Sequence, residues 1–351
     1  ASDVPRIDFS DSTNGALLLE PQSTNLLSYS EDFNQSYWTK SNTLILSNEV
    51  ISPDGSLNSD KLYEDTASSS KLMFKAGIST LGTISVFAKK DDASNRLFQI
   101  RRDGGSNSWS WFNLEDGIIE NEENGSSSIE NYGNGWYRCS FTPTNSNGTI
   151  VFGISNGSLI RSVSYTGDGT SGVYIYGAQL EQGSYATSYI PTSGSTTTRL
   201  ADVCNNSGSA QDFNSEEGVL YAEIAALAND GTNRQISISN GSTSQRIYLG
   251  FRAATNEFIL SSRDSSYIID TVSDITNFNK YAFQYKSGNF KAFVNGTEYN
   301  LTLDGGLLPT DLNTLNFDDG NGSADFYGKI KDLKVFTEAK SDEFLAALTT
   351  I

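Results

Sequence analysis

Residues 172–200 read GVYIYGAQLEQGSYATSYIPTSGSTTTRL, and this stretch decides how the 351-residue chain is divided. Val173, Ile175 and Ala178 interleave with Tyr174, Tyr176 and Gln179, the alternation of a half-buried β-strand. From Pro191 the chain turns to Thr, Ser and Gly, a composition with almost nothing to bury. The sequence therefore predicts one domain over 1–190, a linker over 191–200, and a second domain over 201–351. The length agrees, because single cores stop growing at roughly 250–300 residues.

Working outward, strand-like runs recur on both sides of this boundary. Before it they include 43–51, 82–89, 96–102, 109–114, 136–142 and 149–154; after it, 218–227, 245–251, 280–286 and 289–294. Turn signals such as Asp116-Gly117, Asn134-Gly135, Asn147-Gly148 and Asn295-Gly296 separate them. Many short strands at this spacing indicate β-sandwiches. Near the end, a strand over 327–336 is followed by Ser341 and then Glu343-Phe344-Leu345, with Leu348 four residues beyond Phe344, the pattern of a short capped helix. The expected class is all-β: two sandwich (jelly-roll) domains with a short C-terminal helix.

Composition excludes several function classes. There is no histidine, which removes the commonest general base and every Ser-His-Asp or Cys-His arrangement. The net charge is −18, spread evenly: 13 basic and 22 acidic residues up to 200, then 11 and 20. No basic cluster marks a phosphate-binding surface, so nucleic acid is not an expected partner. No apolar run approaches the roughly 20 residues of a membrane helix, and the opening ASDVPRIDF lacks the basic and apolar regions of a signal peptide. Cys139 lies in a strand-like run and reads as a buried thiol, while Cys204 follows the linker. A bridge between them would have to clamp the two domains together.

Three constellations carry candidate chemistry. Trp109 and Trp111 stand two apart, hence on one face of a strand, with Arg101 and Asn107 close in sequence. They read either as a sugar-stacking platform or as sandwich core. In the second domain, Tyr248, Arg252, Arg263 and Tyr267 are candidates to line a groove. The loop Asp318-Asp319-Gly320-Asn321-Gly322-Ser323-Ala324-Asp325 gathers hard oxygen donors, so Asp318, Asp319, Asn321 and Asp325 are the calcium candidates, although the spacing and terminal Glu of an EF-hand are missing and a plain Asp/Asn/Gly turn that binds calcium weakly or not at all also explains the segment. Glycoside hydrolysis would need two positioned carboxylates, and no Glu-x-Asp-x-x-Glu run is present; Glu223 stands alone on its strand.

Family resemblances add to this reading. The run from Gly167 through GVYIYGAQLEQGSYATSYIPTSGS resembles a segment common in fibre and tail-associated proteins of bacteriophages. Gly135-Trp136-Tyr137-Arg138-Cys139-Ser140-Phe141-Thr142 resembles a strand of jelly-roll carbohydrate-binding modules, over roughly 20–190. The ending FYGKIKDLKVFTEAKSDEFLAAL is similar to laminin-G-like, concanavalin-A-like sandwiches, over about 215–351. The resemblances imply a non-catalytic fibre or appendage protein, on a virion or extracellular, that binds bacterial surface polysaccharide. They imply other virion proteins as partners and a homo-oligomer, such fibres being commonly trimeric. Laminin-G-like domains often hold calcium at a loop rim, which supports the calcium reading of 318–325. The alternative is a secreted carbohydrate-binding protein, or the binding module of a polysaccharide-degrading enzyme.

Overall fold

The structure, a computed structural model, describes residues 5–10, 13–104, 108–144, 148–161, 163–253, 256–263, 265–269, 274–301 and 307–351. It has two compact units, Gln22–Leu200 and the pair of segments Ala1–Pro21 with Ala201–Ile351. Each is a β-sandwich, as the sequence indicated, and the described residues contain one α-helix, Asp342–Thr349. No helix among them is long and apolar enough to cross a membrane.

The Gln22–Leu200 unit is built from two six-stranded antiparallel sheets. One runs Ile118–Glu123, Ser108–Asn113, Leu97–Asp103, Thr149–Ser155, Lys71–Lys75, Thr39–Ser41. The other runs Gly125–Gly133, Trp136–Pro143, Thr83–Lys90, Gly172–Glu181, Leu57–Glu64, Thr43–Ile51. Alternate residues of each strand point inward, and Leu62, Met73, Ile84, Val86, Phe98, Ile100, Cys139, Phe141, Phe152, Val173 and Ile175 meet in one core. Removing that apolar area from water is the main stabilising term.

The Gly172–Glu181 strand changes parity part-way. Val173 and Ile175 are buried in the core, and so are Ala178 and Leu180, which an unbroken period of two would point outward. A register shift between Tyr176 and Gln179 absorbs the extra residue, a β-bulge centred on Gly177 at φ +64. A side chain there would be strained by its backbone angle and would press within 3.0 Å of the Phe87 ring and 3.1 Å of the Tyr189 ring.

After this strand the chain doubles back over the sheet and is pinned by a buried carboxylate. Glu181 accepts from the Thr187 backbone N–H at 2.9 Å, the Ser23 hydroxyl at 2.6 Å, the Thr187 hydroxyl and the Gln179 amide. Asn25 completes the closure, donating to Ala178 O and Ile190 O. Thr192 is also buried, its hydroxyl on Leu27 O, and Thr197–Arg199 pairs with Ser23–Asn25. The stretch 191–200, read as a linker, is solvent-facing at Pro191 and at residues 193–198. Its backbone nevertheless belongs to the first sandwich.

The other unit packs a seven-stranded sheet on a five-stranded one around Leu220, Ile224, Ile236, Ile247, Leu249, Phe258, Tyr281 and Phe283. Here the expected boundary needs correcting. The opening residues, assigned to the first domain, join this sheet instead: Ala16–Leu19 pairs with Gly328–Phe336, and Ile7–Asp8 pairs with Ala16–Leu19. Leu19 enters this core, and Arg6 joins Glu20 to Asp202. Local sequence showed a strand at 16–19 but not its partner. The helix is capped by Ser341, whose side chain accepts from Phe344 N, and lays Leu345 against Val219, Tyr221 and Phe293. Cys139 and Cys204 are both free thiols; burial pushes the Cys139 thiol well up.

Candidate ligand-binding face

The residues singled out in the sequence come to lie as follows. Trp109 and Trp111 share the outer face of their sheet, opposite Arg101 and Gln99 respectively. Trp111 is not in the core, yet it is only 1 % exposed, because the turn after Thr149–Ser155 covers it: its indole N–H donates to Ile160 O at 3.2 Å. The same turn takes Arg101, which donates to Arg161 O at 2.8 Å and pairs with Asp103 at 2.8 Å. Trp109 is half-buried, with its indole nitrogen sealed and unpartnered. Asn107 lies outside the described residues. This face is largely closed by the protein itself.

In the second sandwich the four candidates do not converge. Tyr248 is buried on the outer side of the five-stranded sheet, with the Arg246 guanidinium 4.4 Å above its ring. Tyr267 packs against the core. Arg252 sits at a strand end 3.5 Å from Glu257, and Arg263 occupies a hairpin turn at φ +54 with Nε on Ser244 O.

The calcium candidates fail the fit on geometry. Asp318 accepts from Asn205 at 2.9 Å and Gly320 N at 2.6 Å; Asp319 accepts from Asn321 N and Ser323 N; Asp325 accepts from the Tyr327 hydroxyl. Their oxygens are turned into separate hydrogen bonds rather than toward a common point. Among the described residues no three His, Cys, Asp or Glu side chains come together as a metal site. The turn closes with its own donors.

A face that the sequence reading passed over is better furnished. On the outer side of the sheet holding Gly172–Glu181, cross-strand register sets side chains in rows. One row is Lys61, Tyr174, Lys89, Trp136. The next is Tyr176, Phe87, Arg138, Glu130, and the third is Gln179, Ser85, Ser140, Ser128. Phe87, Trp136 and Tyr176 form an aromatic cluster with Tyr174 and Tyr189 against it. Tyr132, 47 % exposed, meets Phe87 edge-on at 4.8 Å. Tyr174, Tyr189 and Lys89 remain half-exposed, so rings and polar tips are presented together.

Carboxylates edge this face. The Tyr176 hydroxyl lies 2.9 Å from Asp54 and 3.2 Å from Glu31, and the Tyr189 hydroxyl 2.9 Å from the same Glu31 oxygen. Burial, together with these carboxylates, pushes the Tyr176 phenol well above its ordinary value. Asp54 feels some desolvation, but hydrogen bonds from Ser52, Ser56, Tyr176 and Asn58 outweigh it and hold the carboxyl down to about 2. It is therefore ionised and fully engaged, which suits a positioning group and not a proton donor. The readable signal for this face was the alternation Trp136, Arg138, Ser140 within GWYRCSF.

No protein-family model matches this chain, and no curated protein matches it in sequence. Among solved structures, the CBM40 of the Ruminococcus gnavus IT-sialidase bound to alpha2,3 sialyllactose is similar at 18% identity and a TM-score of 0.35, covering 43% of this chain and 95% of that one. Mouse laminin alpha1 chain, domains LG4-5, is similar at 9% identity and a TM-score of 0.29, covering 95% and 92%.

Proposed function

We propose that the chain is a non-catalytic glycan-binding protein whose first sandwich carries the recognition face. The observation that supports this reading is the set of rows across the Gly172–Glu181 sheet. Half-exposed Tyr174 and Tyr189 and exposed Tyr132 offer ring faces and edges, half-exposed Lys89 offers a donor among them, and Arg138, Ser85 and Ser140 lie buried beneath. Sugars need both, an apolar face for the ring carbons and polar groups for the hydroxyls. Catalysis has little to work with: there is no histidine, and Asp54, the carboxyl at the rim, is held ionised with both oxygens bonded.

The finer reading is a fibre or appendage protein of a phage or phage-like particle that contacts bacterial surface polysaccharide. It rests on the resemblance of the 167–195 segment. Shallow sites of this kind give dissociation constants near the millimolar range, so adhesion would rely on several linked copies. The test has two parts. A polysaccharide array should show binding that grows steeply with protein multivalency, and proteomics of purified particles should find the chain. Nanomolar binding of one glycan by a monomer, or cleavage of any array polysaccharide, would overturn the reading.

A further inference from the structure

Arg138 is the feature that neither fold nor stability accounts for. It is only 4 % exposed. Its Nη2 donates to the Ser85 hydroxyl at 3.1 Å, and its guanidinium carbon lies 5.4 Å from the centre of the Phe87 ring. Nε is sealed and has no partner. Among the described residues no carboxylate pairs with it. Its cross-strand neighbour Glu130 is exposed and makes no ion pair with it. Five other guanidiniums, those of Arg6, Arg96, Arg101, Arg161 and Arg234, each meet a carboxylate within 3.0 Å.

A guanidinium buried without a carboxylate calls for a cause. The chain has 42 acidic residues against 24 basic ones, so carboxylates are not scarce. A buried charge without a counter-ion is costly, and a single cation–π contact recovers only part of that cost. The cost is explained if the counter-ion arrives with the ligand. With Nε sealed and Nη2 on Ser85, Nη1 is the nitrogen left to meet it. The Ser85 hydroxyl, accepting from Nη2, keeps its own proton to donate, and Ser140 stands opposite Ser85 on the same face.

Resting on the glycan-face reading above, we infer that Arg138, with Ser85 and the Phe87 ring, is the subsite for an acidic sugar substituent, a carboxylate or a sulfate, on the bound polysaccharide. An arginine suits either anion, since its planar donors match their oxygens. Half-exposed Tyr174 and exposed Tyr132 would hold the rest of the sugar. The ligand class is thus an acidic glycan. Because the protein is strongly negative overall, this contact must act locally, inside the Debye length of about 8 Å at physiological salt.

The experiment uses the full chain, selectively labelled at arginine and tyrosine, titrated with methyl glucuronide, methyl glucoside, methyl glucoside 6-sulfate and sodium sulfate while NMR follows the Arg138 Nε–Hε and Tyr174 ring signals. The expected result is a saturable Arg138 shift with the glucuronide or methyl glucoside 6-sulfate and a Tyr174 shift with the same sugar. Arg138→Gln should abolish both or weaken binding of that sugar at least tenfold, and Arg138→Lys should restore it only in part. A denaturation midpoint for each variant shows whether it is folded. If the sugars all move Tyr174 alike and none moves Arg138, the acidic subsite is wrong while the glycan face stands. If sulfate moves Arg138 and neither the glucuronide nor methyl glucoside 6-sulfate does, the pocket takes free anions and the sugar assignment is wrong. If no probe moves either residue, subsite and face both fall.

Discussion

Glu181 and Thr187, six residues apart, are joined twice: the carboxylate accepts both the backbone N–H and the hydroxyl of the threonine. This clamp turns the chain back over the sheet and places Tyr189 at 6.0 Å from Phe87 and 5.4 Å from Tyr176. Replacing Glu181 by Ala would strand the donors of Thr187, Gln179 and Ser23 in a dry site. The expected loss is about 3–5 kcal/mol in urea denaturation of the first sandwich. A loss below about 1 kcal/mol would mean the return segment is held by its backbone alone.

Asp60 gives a pH dependence of known sign. Burial raises its carboxyl from 3.8 to about 6, working against backbone N–H bonds from Asn48 and Phe33 that favour the anion. The folded state therefore holds this proton more tightly than the unfolded chain. The stability it contributes is full below about pH 4 and is lost as pH rises through about 6. Asp60→Asn carries no such proton. Between pH 4 and pH 7 the stability of the variant relative to the native chain should rise by about 2–3 kcal/mol. A constant difference across that range would show that Asp60 titrates normally.

Calcium offers a third check. Because Asp318, Asp319 and Asp325 each engage separate nearby donors and no metal-holding cluster forms among the described residues, millimolar calcium should leave the Tm unchanged. Binding to the native state alone would raise it by mass action. A calcium-dependent rise abolished by Asp319→Ala would show that the loop rearranges around the ion.

What the sequence disclosed was local. Alternation at 173–180 located a strand, Asn-Gly and Asp-Gly pairs located turns, and Ser341 with Phe344, Leu345 and Leu348 located the helix. Trp109 and Trp111 do share one face. Partnerships between distant segments were not legible, since a strand's pattern shows which residues face inward and not which strand lies beside it. Hence Ala16–Leu19 was assigned to the wrong sandwich, and the turn that closes over Trp111 was not foreseen. The recognition face was hidden for the same reason. Tyr174, Lys89 and Trp136 come from three separate strands and become neighbours only through register.

The most direct measurement compares the two faces of the first sandwich by affinity electrophoresis on surface polysaccharides that the native chain binds. Tyr174→Ala and Trp109→Ala each remove one half-buried ring, from opposite sheets. Stacking of a ring on a sugar is worth roughly 1–2 kcal/mol by analogy with other aromatic contacts. Tyr174→Ala should therefore weaken binding about 5- to 30-fold, while Trp109→Ala leaves it unchanged. Loss of binding in Trp109→Ala with full binding in Tyr174→Ala would contradict the account and move recognition to the sheet that holds Trp109.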